Sequence, residues 1–203
     1  MTEWVSLFTE WITKNGIDIF GVVFMLWFLY LEIRQKWTMW IVGIISSAVF
    51  IYINLDKHLY AMVGLMIYQV IVSVYGLYCW KFAKTKENQN LPITFISKKL
   101  AFQLTLISVP VFVLLAFIFS KNPDNTLFFN ALDAFIATFS VVASWMAARK
   151  IIESWYLWMI VNPCNIAIYI YKDSLSICLL YFIYAAFSIV GYLQWKKVAI
   201  KQP

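Results

Sequence analysis

The stretch Ser-Val-Tyr-Gly-Leu-Tyr-Cys-Trp-Lys at residues 73–81 recurs near the end of the chain as Ser-Ile-Val-Gly-Tyr-Leu-Gln-Trp-Lys at residues 188–196. Its Ser, Gly, Trp and Lys keep their places in the two copies, at an offset of 115 residues. A group of tryptophans also repeats, at an offset of 118: Trp27, Trp37 and Trp40 are followed by Trp145, Trp155 and Trp158. Two spaced groups in the same order predict an internal repeat. The difference of three residues predicts a shorter loop between the last two spans.

The composition around this repeat is that of an integral membrane protein. Of 203 residues, 63% are hydrophobic and 13% are charged, whereas soluble domains have about 45–50% and about 25%. Because so few charged side chains cannot cover a soluble surface, the composition argues against a soluble fold, disorder and a disulfide scaffold. The cysteines, Cys79, Cys164 and Cys178, lie in apolar segments and are interpreted as small buried hydrophobes.

Enzyme chemistry has no support in the sequence. There is no HExxH motif, no cluster of histidines or carboxylates, no P-loop, and no GxSxG or GxGxxG motif. We therefore predict that the protein is not an enzyme and has no catalytic residue, metal site or cofactor.

Seven segments are apolar and long enough to be membrane spans. They cover approximately residues 17–33, 38–54, 59–80, 99–119, 128–148, 154–171 and 175–195. Residues 1–16 are too polar for a span and are interpreted as an amphipathic helix at the membrane interface. The predicted fold class is an all-α integral membrane protein with seven transmembrane helices.

Lysine and arginine are distributed unequally between the two sides. The side with the C-terminus has twelve: Arg34, Lys36, Lys81, Lys84, Lys86, Lys98, Lys99, Arg149, Lys150, Lys196, Lys197 and Lys201. The other side has four: Lys14, Lys57, Lys121 and Lys172. The positive-inside rule then predicts an external N-terminus and a cytoplasmic C-terminus. Because these charges are scattered over several short loops, the net charge of +6 does not indicate a nucleic-acid site.

The repeat predicts a 3+1+3 architecture. Repeat 1 covers residues 17–80, a loop with linker helix 4 covers 81–127, repeat 2 covers 128–196, and a cytoplasmic tail covers 197–203. Because the fourth span carries the chain back across the membrane, both repeats have the same orientation. This parallel arrangement is that of SWEET-type transporters, in which the substrate lies near the midplane between the repeats.

Polar and aromatic side chains form stripes on four spans at helical spacing. The span-six stripe contains Trp155, Trp158, Asn162, Asn165 and Tyr169. The others contain Gln69, Ser73 and Gly76 on span three, Asp133 on span five, and Tyr181, Tyr184, Ser188 and Gly191 on span seven. Such groups at membrane depth face a partner or a wet cavity. Packing between helices alone is the alternative for the serines and glycines, and solvation for Asp133. Trp37, Trp40, Trp80 and Trp195 are also interpretable as interfacial anchors.

Span six carries the strongest indication of a ligand. At the offset of 118, Asn162 and Asn165 correspond to Ile44 and Ser47, so the amides belong to the second repeat alone. Pro163 between them predicts a kink that can expose backbone to a cavity. No chain of intramembrane carboxylates indicates ion coupling. An aromatic, amide-bearing and largely uncharged pocket therefore predicts uncoupled passage of a flat polar molecule.

The sequence resembles the Pnu family of bacterial vitamin transporters, which includes nicotinamide riboside transporters. The resemblance rests on three motifs: residues 74–80 (VYGLYCW), residues 133–135 (DAF) and residues 148–162 (ARKIIESWYLWMIVN). It implies a 3+1+3 helical fold in the inner membrane. It also implies facilitated diffusion, with phosphorylation by a cytoplasmic vitamin kinase trapping the substrate. A homo-oligomer is expected, and the family suggests a trimer.

By motif match, the resemblance implies that Trp155, Trp158 and Asn162 line the substrate pocket with Tyr75, Tyr78 and Trp80. Nicotinamide riboside is the favoured substrate, and thiamine, riboflavin or a nucleoside are alternatives. Leu132 before Asp133, and Ser73, depart from the nicotinamide riboside type and leave these open. Two other classes of protein are also open, namely a seven-helix receptor that binds without transport and a structural membrane subunit.

Overall fold

The computed structural model describes residues 23–56, 60–83, 91–123, 125–173 and 175–201. In chain order, the helices in these ranges are α1 (Val23–Ile33), α2 (Thr38–Asp56), α3 (Tyr60–Leu77), α4 (Lys98–Phe119), α5 (Leu127–Ala148), α6 (Ser154–Tyr171) and α7 (Leu175–Lys201). The predicted all-α class is thus confirmed, with seven helices close to the seven predicted segments. The predicted interfacial helix of residues 1–16 lies outside the described residues.

Four of these helices are long and apolar enough to cross a membrane, by length and hydropathy. They are Val63–Phe82, Lys98–Phe119, Leu127–Ala148 and Ile177–Lys201. Two shorter apolar helices, Val23–Ile33 and Thr38–Tyr52, come from α1 and α2. The starts of α4 and α5 are capped, since the hydroxyl of Ser97 accepts from Leu100 N–H at 3.2 Å and that of Thr126 from Phe129 N–H at 3.4 Å.

The most extensive helix contacts are α2 with α3 and α6 with α7, and α5 joins the two pairs through α3 and α6. Helix α4 packs extensively only on α5 within the described part, and Ser108 is its one buried residue there. This peripheral position suits a helix whose task is to return the chain across the membrane.

Helix α3 ends in a π-helical turn, Tyr78–Phe82, and the chain resumes as an extended segment before α4. Thr94 N–H donates to Lys150 C=O and Ile152 N–H to Thr94 C=O, both at 3.0 Å. Ile96 N–H donates to the Glu153 carboxylate at 2.9 Å. The segment before α4 is therefore held against the α5–α6 elbow, residues 149–153, at one end of the bundle.

The structure corrects the register of the internal repeat. Gln35 and Lys150, which are 115 residues apart, both have the left-handed backbone conformation, with φ of 54° and 52°. These residues form the α1–α2 and α5–α6 elbows. The ring of Trp40 packs on Gly76, and that of Trp155 packs on Gly191. One offset of 115 relates both pairs, so matching Trp40 to Trp158 at 118 was wrong.

The corrected register changes the residues that correspond to the two asparagines. At 115, Asn162 corresponds to Ser47, which is also buried, and Asn165 to Phe50. The shorter loop inferred from the difference between 118 and 115 is not needed. The wrong offset of 118 was inferred because tryptophans are frequent enough in this chain to match by chance.

Candidate functional site

Four tryptophans form a ring cluster between the two halves, at the end of the bundle that contains the α1–α2 and α5–α6 elbows. The centroids of Trp40 and Trp80 are 5.5 Å apart, those of Trp80 and Trp195 are 5.9 Å apart, and those of Trp155 and Trp195 are 5.5 Å apart. None of the four is more than 4% exposed. The interpretation of Trp40, Trp80 and Trp195 as interfacial anchors was therefore wrong, because their rings form the core between the two halves.

Glycine makes this ring packing possible. A Cβ atom at Gly76 would lie 2.3 Å from the Trp40 ring, and one at Gly191 would lie 2.4 Å from the Trp155 ring. Since real side chains do not tolerate such distances, each indole lies directly on helix backbone. The repeated glycines of the sequence are thus packing positions, as the alternative interpretation had it.

Each half also bonds to the backbone of the other. The indole nitrogen of Trp80 donates to the carbonyls of Ala147 and Ala148, at 3.3 and 3.1 Å. The indole nitrogen of Trp195 donates to the carbonyl of Glu32, at 3.2 Å. At the offset of 115, Trp80 corresponds to Trp195 and Glu32 to Ala147, so the two halves exchange equivalent bonds.

The amide of Asn162 lies at the contact between α6 and α7. Its nitrogen donates to the Ser188 hydroxyl at 3.1 Å, and that hydroxyl donates to the Tyr184 carbonyl at 2.7 Å. No described group donates to the amide oxygen of Asn162, which leaves an acceptor for a ligand. Asn165 is occupied within its own helix, since its nitrogen donates to Val161 C=O at 3.1 Å.

Several buried polar side-chain atoms have no hydrogen-bond partner among the described residues. They are the indole nitrogens of Trp40, Trp155 and Trp158 and the hydroxyls of Ser73 and Ser154. Buried polar groups are normally paired, so unsatisfied ones need an explanation. A polar ligand that reached them would supply the missing partners.

Aromatic side chains extend the α6–α7 contact toward α5. The rings of Tyr169 and Tyr181 are stacked at 5.4 Å and 14°, and Tyr181 lies 6.0 Å from Tyr184. Asp133 is within electrostatic range of Tyr169 and of Lys172 at the end of α6. We call Asp133, Asn162, Tyr169, Tyr181, Tyr184 and Ser188 the polar track. It contains five of the predicted site residues, and Tyr181 is a member of the span-seven stripe that completes it.

The remaining predicted residues are placed differently. Trp155 is 1% exposed beneath Gly191, Ser73 is fully buried, and Trp80 belongs to the central cluster. Tyr75 accepts from Arg149 at 3.4 Å at the end of the bundle, and Gln69 and Trp158 are half-buried. Tyr78 is 60% exposed on the outside of the bundle, so the structure does not bring it together with the others.

The polar track is closed, because Asn162 is 5% exposed and Ser188 is 1% exposed. Two cavities of the described part lie elsewhere. One of about 490 Å³ lies between α1 and α7 beside Arg34 and Gln194, and one of about 450 Å³ adjoins it. A ligand therefore reaches Asn162 only if α6 and α7 separate or their side chains turn.

Two buried charged residues escaped the prediction from sequence. Glu32 in α1 is 6% exposed, and Lys150 at the α5–α6 elbow is 7% exposed with its Nζ 4.9 Å from the centroid of the Trp80 ring. Burial lowers the pKa of Lys150 to about 8. A charge inside a predicted span was the available signal for Glu32. The described residues contain no cluster of His, Cys, Asp and Glu able to hold a metal ion.

Comparison with known proteins gives one consistent result. Residues 15–197 match the family profile described as nicotinamide mononucleotide transporter. The nicotinamide riboside transporter PnuC of Escherichia coli K12 is 22% identical, over 89% of this chain and 85% of that protein. PnuC of Neisseria mucosa is 25% identical, over 81% and 66%.

The fold is also similar to a solved one. A crystal structure described as the vitamin B3 transporter PnuC superposes with a TM-score of 0.72 at 19% identity, and the match covers 98% of this chain and 88% of that one. The described helices thus have the arrangement of a known multi-pass membrane protein.

Proposed function

We propose that this chain, which belongs to the nicotinamide mononucleotide transporter family, carries nicotinamide riboside across the bacterial inner membrane. The predicted family is confirmed, and the chain is a multi-pass membrane transporter rather than an enzyme. The observation that carries the choice of substrate is the match to PnuC proteins over nearly the whole chain.

The geometry of the polar track suits such a substrate. Nicotinamide riboside has a flat ring with a carboxamide and a ribose, so it needs aromatic faces and hydrogen-bond partners. The free amide oxygen of Asn162 would accept from its amide or hydroxyl groups, and Tyr181 and Tyr184 would pack on its ring. Asp133 and Tyr169 would form the outer end of the path.

We propose facilitated diffusion by rocking of α1–α3 against α5–α7, as parallel repeats joined by α4. The exchanged bonds of Trp80 and Trp195 support this arrangement, since equivalent contacts recur at a single offset. A cytoplasmic kinase would then trap the product by phosphorylation. The basic segments at the α1–α2 and α5–α6 elbows and the end of α7 lie at one end of the bundle. The proposed cytoplasmic side is this end.

Proteoliposomes test the function directly. Vesicles containing the pure protein, a nicotinamide riboside kinase and ATP should accumulate labelled substrate, and vesicles without kinase should only equilibrate. Binding without flux would instead identify a receptor, and flux that excess thiamine abolishes but nicotinamide riboside does not would move the substrate to thiamine. Protein-free vesicles containing the kinase are the control.

A homo-oligomer, with three copies by the family resemblance, is also proposed. Many exposed side chains of α4 are large and apolar, with Phe102 68% and Phe117 62% exposed. These side chains would contact lipid or another copy. Native mass spectrometry in detergent would give the number of copies, and a single copy at all concentrations would contradict the proposal.

A further inference from the structure

Glu32 is a buried carboxylate whose oxygens have no partner among the described residues. It lies in α1, one residue before the helix end at Ile33, and is 6% exposed. Among the described residues, no lysine or arginine nitrogen is within ion-pairing distance of its carboxylate, and no group donates a hydrogen bond to it. Its backbone carbonyl, by contrast, accepts from Gln35 N–H at 2.9 Å and from the Trp195 indole at 3.2 Å. A buried carboxylate without a counter-charge is costly in free energy, which makes this position a candidate for a functional role.

The carboxylate borders the polar track. It is within electrostatic range of the Tyr184 hydroxyl, and the Tyr184 backbone carbonyl accepts the Ser188 hydroxyl that holds Asn162. One turn before it in α1, Phe28 packs edge-on against Trp40 with ring centroids 6.5 Å apart. Glu32 therefore combines a carboxyl group with aromatic faces, and an organic cation bound there would favour the ionised carboxylate.

The charge is also specific to one half of the molecule. At the offset of 115, Glu32 corresponds to Ala147, which is buried and apolar. The packing residues Trp40, Gly76 and Trp80 have identical residues at the equivalent positions of the second half, whereas Glu32 does not. A structural role common to both halves thus does not explain Glu32, and a role toward a single asymmetric ligand does.

We propose that Glu32 is the counter-charge for a substrate with a permanently cationic heteroaromatic ring, such as an N-substituted pyridinium. This inference rests on the proposed function and deepens it, because nicotinamide riboside carries its positive charge on the ring nitrogen. In a low-dielectric site the attraction between carboxylate and ring is far stronger than in water. The ring of Tyr184 adds an aromatic face for the substrate. Neutral vitamins of similar size would bind more weakly, because they lack the attraction to Glu32.

A pair of ligands that differ by one hydride on the ring, and therefore in ring charge, tests the proposal. Nicotinamide riboside is a cation, and its reduced dihydropyridine form has the same ribose and carboxamide but a neutral ring. We expect the wild-type protein to bind the cation at least tenfold more tightly, by isothermal titration in detergent. Glu32→Gln should weaken binding of the cation by about that factor and leave binding of the neutral form unchanged. Glu32→Ala, which copies the second half, is the alternative neutral variant if the amide impairs folding.

Asp173→Asn is the matched control, since it removes the same charge from an exposed turn where φ is 51° and asparagine is tolerated. It should keep the wild-type preference. Equal binding of both ligands by the wild type, or an unchanged preference in folded Glu32→Gln, would overturn the role of Glu32 and leave the transport function intact. Failure of the wild type to bind either ligand would overturn both together.

Discussion

The indole rings of Trp80 and Trp195 lie 5.9 Å apart at the contact between the two halves of the molecule. Each donates its N–H to the backbone of the half to which it does not belong, Trp80 to Ala147 and Ala148 and Trp195 to Glu32. Each also receives the edge of a second indole at 5.5 Å, from Trp40 and Trp155 respectively. The contact between the two halves therefore consists of two equivalent sets of residues.

Replacing Trp80 or Trp195 with phenylalanine should destabilise the protein by similar amounts. Each change removes the indole hydrogen bond to the other half, which contributes about 0.5–1.5 kcal/mol in addition to the lost packing. Unfolding of the pure protein in detergent would measure both. Trp27→Phe is the control, because Trp27 is 49% exposed on α1. Losses no larger than that of the control would mean that these bonds do not hold the halves together.

Alanine at Gly76 or Gly191 should also destabilise the fold. The added methyl would lie 2.3 Å from Trp40 or 2.4 Å from Trp155, both of which are 1% exposed and unable to move away freely. Overpacking of this kind typically costs about 1–3 kcal/mol. Gly64→Ala is a matched control in α3, since nothing lies within 4 Å of a Cβ there. A drop in thermal stability common to all three variants would contradict the packing role.

Much of this architecture was predictable from the sequence, because long apolar runs separated by short polar breaks leave few alternatives to a bundle of helices. The register of the repeat was only half predictable. Ser73, Gly76 and Trp80 indicated an offset of 115, but the frequent tryptophans indicated 118. Only the three-dimensional contacts decided between them, since the Trp40–Gly76 and Trp155–Gly191 pairs join residues that are distant in the chain.

The candidate site was predicted in part. Helical spacing correctly put Asn162 on the face that meets Ser188. It could not show that Asn165 bonds to its own helix, or that Tyr78 lies on the outside of the bundle, because a π-helical turn begins at that residue and changes the helical period. The burial of Glu32 depends on packing against α7, which no local pattern contains.

Asn162→Leu should weaken binding of nicotinamide riboside by about tenfold or more, because the ligand loses a hydrogen-bond partner in a closed site. Ser188→Ala should have a smaller effect, since it frees the amide of Asn162 to turn. If the two residues act together, the double variant should bind no worse than Asn162→Leu. Isothermal titration with folded protein gives all three affinities. Unchanged affinity in Asn162→Leu would remove Asn162 from the site.

Lys150 should make stability depend on pH. Burial lowers its pKa from 10.5 to about 8 in the folded protein, whereas the unfolded chain keeps the ordinary value. Between these values the unfolded state binds more protons, so stability should rise with pH from about 8 to 10.5, and below 8 the full penalty of the buried charge persists. The rise has an upper bound of about 3 kcal/mol. The Trp80 ring, 4.9 Å from Nζ, offsets part of the penalty by a cation–π contact.

Lys150→Gln isolates this contribution, because it removes the charge and introduces the residue that Gln35 provides at the equivalent elbow. Unfolding measured from pH 7 to 10.5 should show a flatter profile in Lys150→Gln than in the wild type, with the variant more stable below pH 8. Lys98→Gln, at an exposed lysine that begins α4, should keep the wild-type slope. Parallel profiles for the wild type and Lys150→Gln would show that Lys150 reaches water, and that the α5–α6 elbow is open.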